Sequence, residues 1–143
     1  MTIEPLVLHC AITWALAGLI WTVQLVSYPL FGKVGREAFP SYHAAHMARI
    51  TLVVAPLMFG ELATAVWLVV QSTDRGVLFI ASLPLLGLNW VSTALVQVPL
   101  HKKLERDGFD ESTWRKLTTS NWIRTIAWSL RALLLGILLI GSA

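Results

Sequence analysis

The stretch Leu6–Phe31, LVLHCAITWALAGLIWTVQLVSYPLF, decides the fold class. It holds no Asp, Glu, Lys or Arg and is mostly apolar, and it runs well past the roughly 20 residues a helix needs to cross the hydrocarbon of a bilayer. It lacks the strict alternation of a membrane barrel strand. Three further segments behave alike: Ile50–Val70, Val77–Leu100 and Asn121–Ile140. Together they occupy most of the 143 residues and leave no room for a separate soluble domain. The expected fold is therefore all-α, a single transmembrane four-helix bundle over residues 1–143. The chain is 56% hydrophobic and 13% charged, where an ordinary soluble domain has about 25% charged residues.

The opening Met1-Thr2-Ile3-Glu4-Pro5 has no basic run, so the first helix reads as an uncleaved span rather than a secretory signal. The single cysteine, Cys10, excludes an internal disulfide and a CxxC redox pair. No lipidation motif is evident. A net charge of +3 gives no reason to expect nucleic acid, because the basic residues lie where topology places them. Lys33, Arg36 and Arg49 fall between the first two spans, and Lys102, Lys103, Arg106, Arg115 and Lys116 between the last two. The other side has Arg75 alone. The positive-inside rule puts these two longer loops in the cytoplasm and both termini outside.

Punctuation along the chain refines this. Pro29 bends or ends the first span, and Gly32 and Gly35 mark a loop. A helix starting near Pro40 runs through His43 and His46 into span two, where Pro56 and Gly60 predict a kink. Residues 72–76 read as an outer turn. Lys102–Ser120 is the longest polar segment, with a short helix over Asp110–Leu117 capped by Asp110. No internal repeat is obvious.

Helical spacing gives every span one polar stripe. Thr13, Gln24 and Tyr28 share a face of span one, with His9 at its edge. His43, His46 and Glu61 share a face of span two. Asn89, Thr93 and Gln97 share a face of span three, with His101 at its rim, and Arg124 and Arg131 share one on span four. Ionisable groups at membrane depth need partners, water or a task, so the four stripes are expected to face inward. Depth separates two constellations, since Glu61 stands about 22 Å from His46 along a straight helix.

The deep set is Glu61 with Arg131 and Asn89. It reads as an ion pair that either fixes helix register or serves as a proton relay or counter-ion. The shallow set is the candidate for chemistry. His43, His46 and His101 have the donor set of a zinc, copper or iron site with an open position, with Gln24, Tyr28 and Gln97 placed to orient them. The competing reading makes them interfacial histidines bonded to loop groups. Arg124 and Arg49, with Asn121 and Trp122, read as contacts for an anionic head group or the polar end of a substrate. His9 stands apart, either a satisfied polar residue or an axial haem ligand.

The run Leu8-His9-Cys10-Ala11-Ile12-Thr13-Trp14-Ala15-Leu16-Ala17-Gly18-Leu19 resembles the opening of the haem-binding four-helix protoporphyrinogen oxidases and of copper-resistance D-type domains. Ala55-Pro56-Leu57-Met58 before Gly60 resembles the same oxidase pattern, although span three has no counterpart of that family's functional lysine. Tyr28-Pro29-Leu30-Phe31 with Phe39-Pro40-Ser41-Tyr42-His43 looks more like anthrone-oxygenase-like four-helix proteins. The resemblance implies a small multi-pass protein of a bacterial cytoplasmic membrane, with a bound transition metal or haem, and makes His9 the haem-ligand position.

The sequence thus leads to an expected metal- or haem-dependent oxidoreductase acting on a lipophilic small molecule. The alternatives are a small transporter or binder of lipophiles or anions, and an accessory subunit of a larger membrane complex, in which the chain associates with itself or with other subunits.

Overall fold

The computed structural model describes residues 3–71 and 76–141. The expected turn at 72–76, and Arg75 with it, lies almost wholly outside the described residues. The protein is all-α, built from four long helices: α1 (Glu4–Phe31), α2 (Phe39–Gln71), α3 (Val77–Asp107) and α4 (Glu111–Gly141). Each is long and apolar enough to cross a membrane. At 33 residues α2 is about 50 Å long, so it outruns a hydrocarbon core of about 30 Å.

The burial pattern is that of a membrane bundle rather than a soluble one. Leu52, Val70, Leu95 and Ile140 point outward, while His9, Glu61, Asn89 and Arg131 are fully buried. In lipid no hydrophobic force drives helices together, so polar side chains facing inward supply the specificity of association.

The helices run further than the sequence punctuation suggests. The polar stretch Lys102–Ser120 is no long loop: α3 continues to Asp107 and α4 starts at Glu111, with only Gly108, Phe109 and Asp110 between them. The short helix foreseen at Asp110–Leu117 is the first part of α4 itself. Once nucleated, a helix gains a hydrogen bond with each residue added, and polar residues continue it freely at the membrane edge. Gly108 takes a positive φ of 78° to make the link.

Asp110 is the cap. Its Oδ2 accepts the Thr113 backbone N–H at 2.8 Å and the hydroxyls of Ser112 and Thr113 at 2.8 and 2.6 Å. These donors hold its carboxyl well below the ordinary carboxylate range. A depressed pKa stabilises the fold only where the group is ionised. The contribution is therefore whole above pH about 4 and is lost as pH falls through the depressed value. Asp110→Ala is expected to lower the thermal midpoint at neutral pH and to blunt its fall in acid, as followed by circular dichroism in nanodiscs.

Pro29 and Pro99 do not end their helices either. Each follows a π-helical turn, at Val23–Ser27 and Thr93–Gln97. In these turns the amides of Tyr28 and Val98 reach back to the carbonyls of Val23 and Thr93. Such a turn holds one extra residue, which makes room for a proline that has no N–H and crowds the preceding turn.

The matching positions of the two turns reveal a repeat that the sequence reading missed. Leu25-Val26-x-x-Pro29-Leu30-x-x-Lys33 and Arg36-x-x-Phe39 recur in the same register as Leu95-Val96-x-x-Pro99-Leu100-x-x-Lys103 and Arg106-x-x-Phe109. The two equivalent phenylalanines touch, with ring centroids of Phe39 and Phe109 5.2 Å apart. The motif thus recurs at the same place in each helical hairpin, α1–α2 and α3–α4, and in the same chain direction, which is the sense of a parallel rather than an inverted repeat.

The repeat makes an asymmetry visible. α1 packs closely on α4, and the counterpart of that interface in the other half is α3 on α2. There α2 meets chiefly the last turns of α3, from Val98 onward. Elsewhere the seam between α2 and α3 opens into a cleft.

Candidate functional site

The cleft is a cavity of about 260 Å³, walled by α2 and α3 and floored by α1 and α4. Ile50, Val54 and Met58 come from α2, Trp90 and Gln97 from α3, Ile20 and Tyr28 from α1, and Arg124 and Trp128 from α4. Its surface is almost wholly apolar apart from a polar cluster at the end nearest the basic links. Phe59 and Trp90, with ring centroids 5.2 Å apart, close its other end.

Arg124 is the one cation in that lining. Its residue is 5% exposed. Nη1 donates to Asn121 Oδ1 at 3.2 Å, the guanidinium lies over the Trp128 ring at 5.2 Å, and the buried Nε has no partner. Among the described residues the ion pairs are Arg106–Asp107, Arg115–Glu111 and Arg131–Glu61. Arg124 belongs to none of them, so a buried guanidinium faces an apolar cavity without a carboxylate. The positioning is deliberate in structural terms: Asn121 Nδ2 donates to Gln24 Oε1 at 2.9 Å, and Gln24 Nε2 donates to the Thr118 carbonyl at 3.2 Å. The Gln24–Asn121 lattice thus fixes the arginine from α1.

Beside it runs a hydrogen-bonded chain. Tyr28 Oη lies 2.9 Å from His101 Nε2 and 3.2 Å from Gln97 Oε1. His101 Nδ1 lies 3.0 Å from His43 Nε2, and Gln97 Nε2 donates to Ser120 Oγ at 3.0 Å. The chain has two polarities on the same heavy atoms. In one, Tyr28 donates to His101, which donates to His43. In the other, His43 donates to His101, which donates to Tyr28, and Tyr28 donates to Gln97. The two differ in the tautomer of both histidines. Passing from the first to the second takes a proton in at Tyr28 Oη and gives one up at His43 Nδ1, a buried atom with no partner among the described residues. It therefore proceeds only with an acid at the cavity end and a base at the His43 end. Both rings are tautomeric, so each nitrogen takes either role.

The expected three-histidine metal site does not assemble. His43 and His101 bond to one another, while His46 packs edge-on against Phe31 with centroids 4.9 Å apart and lines the cavity. Among the described residues no three His, Cys, Asp or Glu side chains converge in a way that could hold a metal ion. The wide turn at Thr93–Gln97 and the aromatic packing of Phe31 set these orientations, and sequence spacing alone does not reveal them.

His9 is equally committed. Its Nδ1 lies 2.7 Å from Thr64 Oγ1 and its Nε2 2.8 Å from Arg131 Nη2. The arginine donates, so Nε2 accepts and Nδ1 carries the proton. Both nitrogens are thus hydrogen-bonded within the bundle, and His9 does not line the cavity.

The deep constellation forms as a closed network. Arg131 Nε donates to Glu61 Oε1 at 2.8 Å, with both side chains fully buried. Thr13 Oγ1 and Trp128 Nε1 donate to the same carboxylate at 2.9 and 3.2 Å. Arg131 Nη1 donates to the Ser82 carbonyl at 2.8 Å. Asn89 stands outside: both its amide atoms are buried without a partner. Arg49 and Trp122 also lie away from the cavity. Arg49 is exposed, and Trp122 packs edge-on against Trp21 on the outer surface.

Sequence reasoning did not single out Trp128. One edge of its indole donates to Glu61 and its face lies against Arg124, so it joins the two constellations. Its spacing from Arg124 and Arg131, four and three residues, was the available signal.

Comparison with known proteins found no family model that matches the chain, and no similar curated protein or solved structure.

Proposed function

We propose that this protein binds a lipophilic anion, taken from the bilayer through the α2/α3 cleft, with its carboxylate or phosphate on the guanidinium of Arg124. One observation carries the reading: a buried arginine, with no carboxylate partner among the described residues, lining a mostly apolar cavity. A charge at this depth costs several kcal/mol unless something compensates it, and an anionic ligand supplies that compensation together with the two parallel hydrogen bonds that a guanidinium offers. The cleft opens sideways, as a site filled from lipid requires. The Tyr28–His101–His43 chain supports a form of this role in which the ligand exchanges a proton as it enters or leaves. The clustered basic residues around the Gly32–Ala38 and Gly108–Asp110 links favour an orientation with that end in the cytoplasm and both termini outside.

Protein extracted into native lipid particles and analysed by mass spectrometry is expected to retain acidic amphiphiles that Arg124→Gln protein lacks. The same acids at the same abundance in both preparations would overturn the proposal. Free acids and phosphate esters separate in that measurement, so it also identifies the head group.

A further inference from the structure

A second apolar groove continues the cleft beyond the Phe59–Trp90 pair. It is walled by Leu62, Val66 and Val69 of α2 and by Leu83, Leu86 and Gly87 of α3. It encloses about 390 Å³, and Trp90 is a wall of both spaces. Resting on the reading of Arg124 above, we propose that this groove takes the hydrocarbon tail of the same ligand, and that the ligand is a long-chain amphiphile whose tail passes between Phe59 and Trp90.

Continuity is the first argument. Along α2 the inner cavity runs from His46 to Phe59, a rise of about 20 Å, and the groove from Leu62 to Val69 adds about 10 Å. Together they follow the seam over a depth close to the roughly 30 Å hydrocarbon thickness. An anion held at one end of this seam has its tail directed along it, because polar links close the other way out. The second argument is the barrier. The Phe59 residue is 61% exposed, so its ring can swing toward lipid without disturbing the packed core. Trp90 Nε1 is buried without a partner, so no hydrogen bond holds the indole in the closed position. The third is the wall itself. Gly87 lines the groove, and a Cβ added there would meet nothing within 4 Å, so no neighbouring helix packs closely against it.

Hydrocarbon gains little on leaving lipid for such a groove, so affinity against chain length is a poor readout and position is a good one. The experiment uses two photoreactive hexadecyl acids, one with its diazirine beside the head and one with it at the tail end, on the protein in nanodiscs, with cross-linked residues mapped by mass spectrometry. The head probe reports the Arg124 cavity. The tail probe is expected to mark the Leu62–Val69 and Leu83–Gly87 segments, to be displaced by unlabelled hexadecanoate, and to lose most of that labelling in Arg124→Gln.

Gly87→Leu fills the groove and is expected to abolish tail labelling there while head labelling persists. Val66→Trp fills it from the facing helix should the first variant fail to fold. Head labelling with no displaceable tail labelling in the groove would overturn this inference alone. Groove labelling indifferent to both competitor and Arg124 would mean bulk lipid only and would also overturn it. Head labelling indifferent to Arg124 would overturn the underlying anion site.

Discussion

Glu61→Ala is expected to destabilise the bundle by about 3–5 kcal/mol, the cost of leaving a buried charge without its partner. Glu61 Oε1 accepts from Arg131 and Thr13, and its Oε2 accepts from Trp128. Removing the carboxylate strands the Arg131 guanidinium and frees donors on α1 and α4 as well. The remaining Arg131 contacts, to Ser82 and His9, are to neutral groups and do not replace the charge. Reversible unfolding in mixed micelles measures the loss, with Leu52→Ala on the lipid-facing surface as the control. The double variant Glu61→Ala with Arg131→Leu is expected to recover part of the stability, because neither ion then remains buried. A single variant no less stable than the Leu52 control would contradict a structural role for the pair.

Arg124→Gln is expected to behave in the opposite way. Arg124 forms no ion pair among the described residues, so its removal relieves a buried charge that only neutral groups, Asn121 and the Trp128 face, offset. The ligand-free variant should be as stable as the parent or more so. Ligand affinity should fall at the same time, by about 2–5 kcal/mol for loss of a buried charged partner, which is roughly 30-fold or more. The two arginines of α4 therefore separate by experiment: Arg131 holds the fold, and Arg124 serves the site at some cost to it. A residue kept against stability is the ordinary signature of function.

The sequence made the four spans legible because each carries an uninterrupted apolar run, and it made the two polar levels legible because helical rise converts residue number to depth. Glu61 with Arg131 followed from that alone, as the ionisable residues at one depth. The cleft was not legible. It comes from a difference between two interfaces that the repeat makes equivalent, and no local pattern encodes that difference. The repeat itself stood in the sequence as Leu-Val-x-x-Pro-Leu-x-x-Lys at Leu25–Lys33 and Leu95–Lys103. It was obscured because the flanking apolar residues interchange freely in lipid-facing positions.

The fate of the histidines was likewise hidden. His43 and His46 share a face by spacing, but Phe31 takes the His46 ring while His101 takes His43. Those choices depend on aromatic packing and on the extra residue in the turn at Thr93–Gln97. The resemblance of the first span to haem proteins turned on Leu8, His9 and Trp14. The fold gives His9 to Thr64 and Arg131 instead, and sets Trp14 on the outer surface, half exposed.

The central claim is that Arg124 holds an anion inside the membrane. Calorimetric titration of the nanodisc-embedded protein with decanoate, and in parallel with decyl phosphate, tests it most directly. Saturable binding of at least one of these by the parent, weakened roughly 30-fold or more in Arg124→Gln, is the predicted result. Equal binding by the two proteins, or none by the parent, would contradict it.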